Sequence, residues 1–372
     1  MLFPTIDSLE EFKAKVAHLP EIRFNTVSNG YTVACYMISD NDTFSGESAP
    51  WARECRGITF DREGKIAARP FHKFFNVGER PDTQADIFDR EDVVTVMDKR
   101  DGSMVHPLIV DGELVFKTKK SFESDVAIAA TKFLRTQPHV EVLCRNAIDL
   151  DITPIFEYTG PTNRIVLAYE KTELRLLAAR HNKTGKYLSR FQVSSMAEEL
   201  AVALVDVYPI MSWDVAHVWD EIKSNLETLQ GIEGYVIQFA SGEMVKAKTA
   251  WYMELHHTVV FQTERSIAEM VINETVDDFK SYLSASGEGA VEALKKVNEI
   301  EEKVLSFIVG LEKSVDETYE ANKELDRKTF AIKHQGQELF GLLMKRYVGQ
   351  EPDFKGYFEK YMLKENFSLE QI

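Results

Sequence analysis

Residues 98–105 read DKRDGSMV, and how this stretch is taken decides how the chain around it folds. As backbone chemistry, Asp101-Gly102 between two apolar, β-branched runs is a hairpin turn, and Lys99 is a solvated charge beside it. As side-chain chemistry, a lysine two residues before Asp-Gly is how one class of enzymes presents an amine to the α-phosphate of a nucleotide. Four residues cannot separate these readings, so the rest of the chain has to.

Outward from this point the sequence is strand-rich, from residue 20 to about 260. Short β-branched or aromatic runs recur: YTVACYMI (31–38), GITFD (57–61), DVVTVMD (92–98), ELVFKTK (113–119), TPIFEY (153–158), RIVLAY (164–169), LRLLAAR (174–180) and EGYVIQFA (233–240). Turn signals separate them: DREGK (61–65), a second DG (111–112) and NKTGK (182–186). Helical stretches are expected near 123–136, 194–204 and 213–229. A short first helix is expected where Ser8 and Glu11 have capping-box spacing and Leu9, Phe12 and Val16 recur at helical intervals. The pattern suits an antiparallel α+β domain over 1–261. Beyond it, SIAEMVINETVDDFKSYLSA (266–285), AVEALKKVNEIEEKVLSFIVGLEK (290–313) and FAIKHQGQELFGLLMKRYVG (330–349) carry apolar residues at i, i+3, i+4 and i+7. An all-helical domain is expected over 262–372.

The 372 residues suffice for two cores, and 44% hydrophobic with 28% charged is the balance of a soluble globular chain. No apolar run approaches the roughly 18 residues of a membrane span, and the first residues lack a basic, then apolar, secretory pattern. Cys35, Cys55 and Cys144 are far apart with no C-x-x-C, which argues against a disulfide framework or a zinc site and for a reducing cytoplasm. The net charge of −16 repels phosphate at long range, so any nucleotide or RNA site has to be a local basic patch.

Such a patch is visible. Lys117 and Lys119, and again Lys246 and Lys248, lie two apart on expected strands, so each pair shares a face. Adjacent like charges are costly unless an anion lies between them, although lysines also protect edge strands. Glu157 and Glu233 sit among apolar neighbours in strands, where an unpaired carboxylate is costly. They suit salt bridges to nearby lysines, or a ribose hydrogen bond and a magnesium site, since magnesium keeps most of its waters and needs few carboxylates. Arg56 and Lys73 add cations around the DREGK hairpin, and Phe75 offers a ring for a base or for the core.

Taken together, ECRG (54–57), KFFN (73–76), KRDGS (99–103), KTK (117–119), FEYTGPTNRIV (156–166), IEGYV (232–236) and VKAK (245–248) occur in an order and spacing that resembles the RNA ligase 1 family of tailed bacteriophages, within the covalent nucleotidyltransferase superfamily. DDFKSY, DRKTFA and FGLLMKRY extend the resemblance into the helical region, over essentially the whole chain. The resemblance implies an antiparallel-sheet nucleotidyltransferase domain with an all-α C-terminal domain that selects RNA. It implies ATP as co-substrate with Mg2+ or Mn2+, and joining of RNA 5′-phosphate and 3′-hydroxyl ends through lysyl-AMP and an adenylylated RNA end.

By the same resemblance Lys99 is the nucleophile. The nucleotide is held by Arg56, Lys73, Phe75, Gly102, Lys117, Lys119, Glu157, Lys246 and Lys248, with Glu157 on the ribose. Glu233 holds metal through water, and Asp277 and Asp278 form a second metal site or a solvated helix start. A lysine attacks only as the free amine, and surrounding cations disfavour its protonated form. Arg100 departs from the family pattern, where an acidic residue is familiar. The expected substrate is a host tRNA broken in its anticodon loop, and the expected enzyme is a monomer in the infected cell's cytoplasm. The competing readings are a DNA ligase or capping enzyme, which usually carry an OB-fold at the C-terminal side, and an RNA-end binder without chemistry.

Overall fold

A computed structural model describes residues 3–36, 43–209, 215–254, 264–285 and 291–362. The chain separates into two compact units, Met1–Leu255 and His256–Ile372. The first is α+β and the second is helical in its described residues.

Three four-stranded sheets build the first unit. One contains β1 (Ile22–Thr26), β2 (Thr32–Tyr36), β3 (Arg56–Phe60) and β4 (Ile66–Ala68) in chain order, all antiparallel. Another has the order β10 (Glu173–His181), β9 (Ile152–Thr159), β7 (Ser103–Val110), β8 (Glu113–Lys117), also antiparallel. The last has the order β5 (Phe75–Asn76), β12 (Met244–Lys248), β11 (Gly234–Phe239), β6 (Val93–Lys99), and only the short β5–β12 pair is parallel. Each sheet buries one face on helices. Phe12 and Val16 of the first helix (Leu9–Val16) pack with Ile58 and Phe60. Leu134, Leu143 and Val193, from three helices, pack with Phe116, Phe156 and Leu176. Val218, Ile222 and Leu226 pack with Val96, Ile237 and Phe239.

The two Asp-Gly pairs behave differently. β7 and β8 pair directly across Asp111-Gly112, whose φ values of 51° and 87° are those of a type I′ hairpin turn. The strands flanking Asp101-Gly102 are not partners: β6 pairs with β11, whereas β7 pairs with β8 and β9. Residues 99–103 therefore carry the chain from one sheet into another, and the hairpin reading of DKRDGSMV does not hold.

Other expectations need correction. RIVLAY (164–169) is not a strand but a loop, because a carboxylate takes the backbone N–H groups that a neighbouring strand would have used. A helix at Pro138–Asp149 was not expected, although Pro at its start and buried Val140, Leu143, Cys144 and Ala147 mark it. At the first helix Ser8 Oγ accepts from Glu11 N, but Glu11 closes onto Asp7 N rather than Ser8 N, so the capping box is half made. Met37 and Ile38 of YTVACYMI, and residues 213 and 214 of the third helical stretch, lie outside the described residues.

In the second unit the 30-residue helix Val291–Glu320 is the spine. Its Val297, Ile300 and Val304 share one core with the helices Glu264–Ile272, Val276–Ala285 and Phe354–Met362. Its Val315 enters another core with Phe330, Leu342 and Leu343. FAIKHQGQELFGLLMKRYVG breaks into Arg327–His334 and Phe340–Tyr347, because Gly336 adopts φ 87° and ends the first helix. No helix among the described residues is long and apolar enough to cross a membrane.

Candidate active site

Sheet register assembles the centre of the site. Gly234, the first residue of β11, faces Lys99 at the end of β6 and Lys248 at the end of β12. Glu233 precedes it, so its carboxylate falls between the lysines of both neighbouring strands. Glu233 Oε1 accepts from Lys99 Nζ at 2.6 Å and pairs with Lys248 Nζ at 2.7 Å. Only glycine fits beside it, since a Cβ on residue 234 would lie 2.1 Å from the Ala247 carbonyl oxygen. Burial alone would raise the Glu233 carboxyl, but the Lys248 and Lys99 ammonium groups outweigh it and hold the carboxyl below its ordinary range. Lys246 lies on the same face of β12 as Lys248 and is also partly open to solvent.

Glu157 stands across from this trio. It lies on β9 opposite Met104 of β7, and Met104 Sδ receives Arg56 Nη1 at 3.5 Å. The protein surrounding Glu157, with the nearby charges of Glu233 and Asp101, pushes its carboxyl up to about 8 despite the attraction of Lys99 and Arg56. A carboxyl held neutral at pH 7 can donate a hydrogen bond to a hydroxyl, and is a poor metal ligand. Arg56 has no carboxylate partner among the described residues; its guanidinium contacts Met104 and the Phe74 ring.

The segment after Lys99 is held on both sides. Asp101 is buried; Oδ1 accepts from the Tyr252 hydroxyl at 2.9 Å, and Oδ2 accepts from Val166 N and Leu167 N at 2.8 and 2.5 Å. Asp101 N donates to the Tyr169 hydroxyl at 3.1 Å. Gly102 packs so closely on β9 that a Cβ would lie 2.6 Å from the Tyr158 carbonyl oxygen. Arg100 stacks on the Tyr169 ring and pairs with Glu173 and Asp98 at 3.4 and 3.6 Å. Its charge is thus met by two carboxylates and spent on the loop. Asp101, Tyr169 and Tyr252 are the residues that the sequence reading gave no role. The Asp of K-x-D-G was a signal for the first, but nothing local pointed to Tyr252.

The remaining site residues divide. Lys73 and Lys119 gather on one ring, with their amines 5.6 and 3.7 Å from the centre of Tyr36. Lys117 does not share a strand face with Lys119, because β8 ends at Lys117. The Lys117 amine is buried and donates to the carbonyls of Thr118, Lys119 and Gly57, stitching β8 to β3. Phe75 is a core residue rather than a base platform: it is 3% exposed, packs edge-on against Phe44, and lies under Arg53, Lys73 and Arg80. Asp277 and Asp278 belong to the second unit, in the first turn of Val276–Ala285, where carboxylates complement the helix dipole.

The described residues contain no group of three or more His, Cys, Asp or Glu side chains gathered as a metal cage. One buried carboxylate beside an amine does fit a hydrated divalent ion that takes its other ligands from water and phosphate. Glu233, just ahead of β11, and the lysines that end β6 and β12 thus form one charged trio, faced by Glu157 on β9. In comparison with known sequences, residues 54–252 match the family described as RNA ligase, and residues 261–365 match the T4 RNA ligase 1, C-terminal domain. The chain belongs to this RNA ligase family. It is 29% identical over 316 residues, 80% of each chain, to a Thermovibrio ammonificans protein provisionally named an RNA ligase. It is 30% identical over 265 residues to RNA ligase 1 of bacteriophage TS2126, covering 68% of this chain and 64% of that one. An archaeal ATP-dependent RNA ligase structure aligns with TM-score 0.49 and 13% identity over 81% of this chain and 78% of that chain.

Proposed function

We propose that the protein is an ATP-dependent RNA ligase in which Lys99 becomes covalently adenylylated. The observation that carries this reading is the single oxygen of buried Glu233 shared by Lys99 and Lys248 at 2.6 and 2.7 Å. Lys99 would attack the α-phosphorus of ATP, forming a nitrogen–phosphorus bond and releasing pyrophosphate. The AMP would then pass to an RNA 5′-phosphate, and a 3′-hydroxyl would displace it to seal the strand. Covalent catalysis stores the activation on the enzyme between these steps.

Each residue has a stated task in this scheme. Lys248 and Lys246 face the phosphates, Arg56 and Lys119 extend the positive surface, and the buried Lys73 adds charge beneath it. Glu157, protonated near pH 7, hydrogen-bonds a ribose hydroxyl. Glu233 holds Lys99 in place as its ammonium, and with Lys248 still neutralising the carboxylate, Lys99 would give up its proton to solvent before attacking. A Mg2+ or Mn2+ ion held at Glu233 would supply positive charge against the phosphate. Asp277 and Asp278 enter as a second metal site only through the family resemblance. The helical residues from about 262 onward would select the RNA, a tRNA nicked in its anticodon loop during phage infection.

Incubation with labelled ATP and either metal, followed by denaturing electrophoresis, tests the central step. A labelled band that pyrophosphate reverses and that RNA discharges is expected. GTP labelling in preference to ATP, or RNA binding with no labelling at all, would overturn it.

A further inference from the structure

The loop that follows Glu157 has no place in this chemistry, yet it is fixed to the segment bearing Lys99 more firmly than surface loops usually are. We propose that residues 161–169 form a rigid ledge for RNA, with Arg164 as the contact to a backbone phosphate. This rests on the RNA ligase reading above and adds a residue that recognises the substrate.

Four anchors fix the ledge. Val166 N and Leu167 N bond Asp101 Oδ2, and the Tyr169 hydroxyl accepts from Asp101 N. Asn163 Nδ2 donates to the Tyr158 carbonyl at 2.8 Å, and Asn163 Oδ1 accepts from Ser103 Oγ at 3.2 Å. Arg100 covers the Tyr169 ring. The anchored residues are 163, 166, 167 and 169; between them the tip, Arg164 and Ile165, is left in solvent, with Ile165 47% exposed.

The tip is chemically unusual for this chain. Acidic residues outnumber basic ones, 60 to 44. At the far end of the same loop, Arg175 and Arg100 both pair with Glu173. Arg164 has no carboxylate partner among the described residues; its Nε donates to the Val166 carbonyl at 3.2 Å, which orients the guanidinium and leaves both terminal nitrogens for another acceptor. A planar fork on a fixed backbone suits a phosphate, and little side-chain freedom is lost when it binds. The phosphate belongs either to the strand bearing the 5′-phosphate or to the strand bearing the 3′-hydroxyl.

The experiment separates the steps with the full chain and the variants R164A and R164K. The first assay is lysyl-AMP formation from labelled ATP, the second is AMP transfer from preloaded enzyme to a 3′-blocked, 5′-phosphorylated RNA, and the third is sealing of pre-adenylated RNA to a 3′-hydroxyl strand without ATP. R164A is expected to form lysyl-AMP within twofold of wild type and to lose about tenfold in the second or third assay, with R164K between. Loss confined to the second assay assigns the 5′-phosphate strand; loss confined to the third assigns the other strand. Equal loss in all three makes the loop a support for the lysine and overturns the proposal, as do unchanged second and third assays. Binding of a single-stranded RNA is measured in parallel, where one lost phosphate contact lowers the salt slope by about 0.7. If wild type forms no lysyl-AMP, the ligase reading fails, and this slope alone decides on Arg164: an unchanged slope overturns it.

Discussion

The Tyr252 hydroxyl donates to Asp101 Oδ1 at 2.9 Å, a buried hydrogen bond between residues 151 positions apart. It ties the segment after Lys99 to the end of the first unit, where Lys248 lies over the same Tyr252 ring. Replacing Tyr252 with Phe removes one donor from a buried carboxylate, and a hydrogen bond to a charged group is worth about 1.5–3 kcal/mol. Y252F should lose that much stability by denaturant unfolding and adenylylate more slowly. Wild-type stability and rate together would show that Asp101 needs no clasp.

Lys99→Ala should abolish AMP labelling with little change in stability, because Lys248 still neutralises Glu233. Lys99→Arg should fail as well, since guanidinium stays protonated and is a poor nucleophile. Glu233→Ala removes the charge that both lysines share, so it should lose labelling and stability together. The measurement is covalent labelling beside a thermal melt, and labelling of K99A at the wild-type level would exclude Lys99 as the nucleophile.

Glu157 gives a pH-dependent signature. Its folded carboxyl titrates at about 8, above the ordinary value of about 4.3, so the folded state holds a proton that the unfolded state has lost between those pH values. Stability therefore falls as pH rises through this window and levels off above it. E157Q, which cannot ionise, should gain on wild type from pH 5 to 8. Parallel melting curves for the two proteins across that range would remove the basis for a protonated Glu157.

Glu54, from the ECRG motif, has a structural task. Its carboxylate is fully buried between Arg69 and Arg180, with Arg–carboxylate contacts of 2.7–3.0 Å. Burial opposes its charge, but Arg180 and Arg69 win and lower its carboxyl to about 2. The stabilisation is whole above pH of about 4.3 and is lost as pH falls towards 2. E54Q strands two buried guanidinium groups and should cost about 3–5 kcal/mol. A chemical melt at pH 7 checks this, and a loss below 1 kcal/mol would mean that water or other carbonyls satisfy the arginines.

What was legible in the sequence follows from the range of the forces involved. Strand periodicity put Lys246 and Lys248 on one face, and apolar neighbours marked Glu157 and Glu233 as costly unless partnered. Those are local signals. Lys117 escaped because its partners are backbone carbonyls of its own turn and of β3, which carry no sequence signature. RIVLAY escaped because its β-branched pattern is the right one for a strand, and a distant carboxylate overrode it. The two Asp-Gly pairs show the same limit: identical dipeptides, of which one turns a hairpin and the other crosses between sheets.

That crossing has a mechanical consequence. Only four peptide links separate Lys99 at the end of β6 from Ser103 at the start of β7. Four links reach at most about 14 Å, and the close seat of Gly102 on β9 leaves almost no slack. The β6 and β7 sheets are thus leashed at Lys99 itself, and they cannot drift apart without dragging it. Strand separation is a displacement this unit is built to resist.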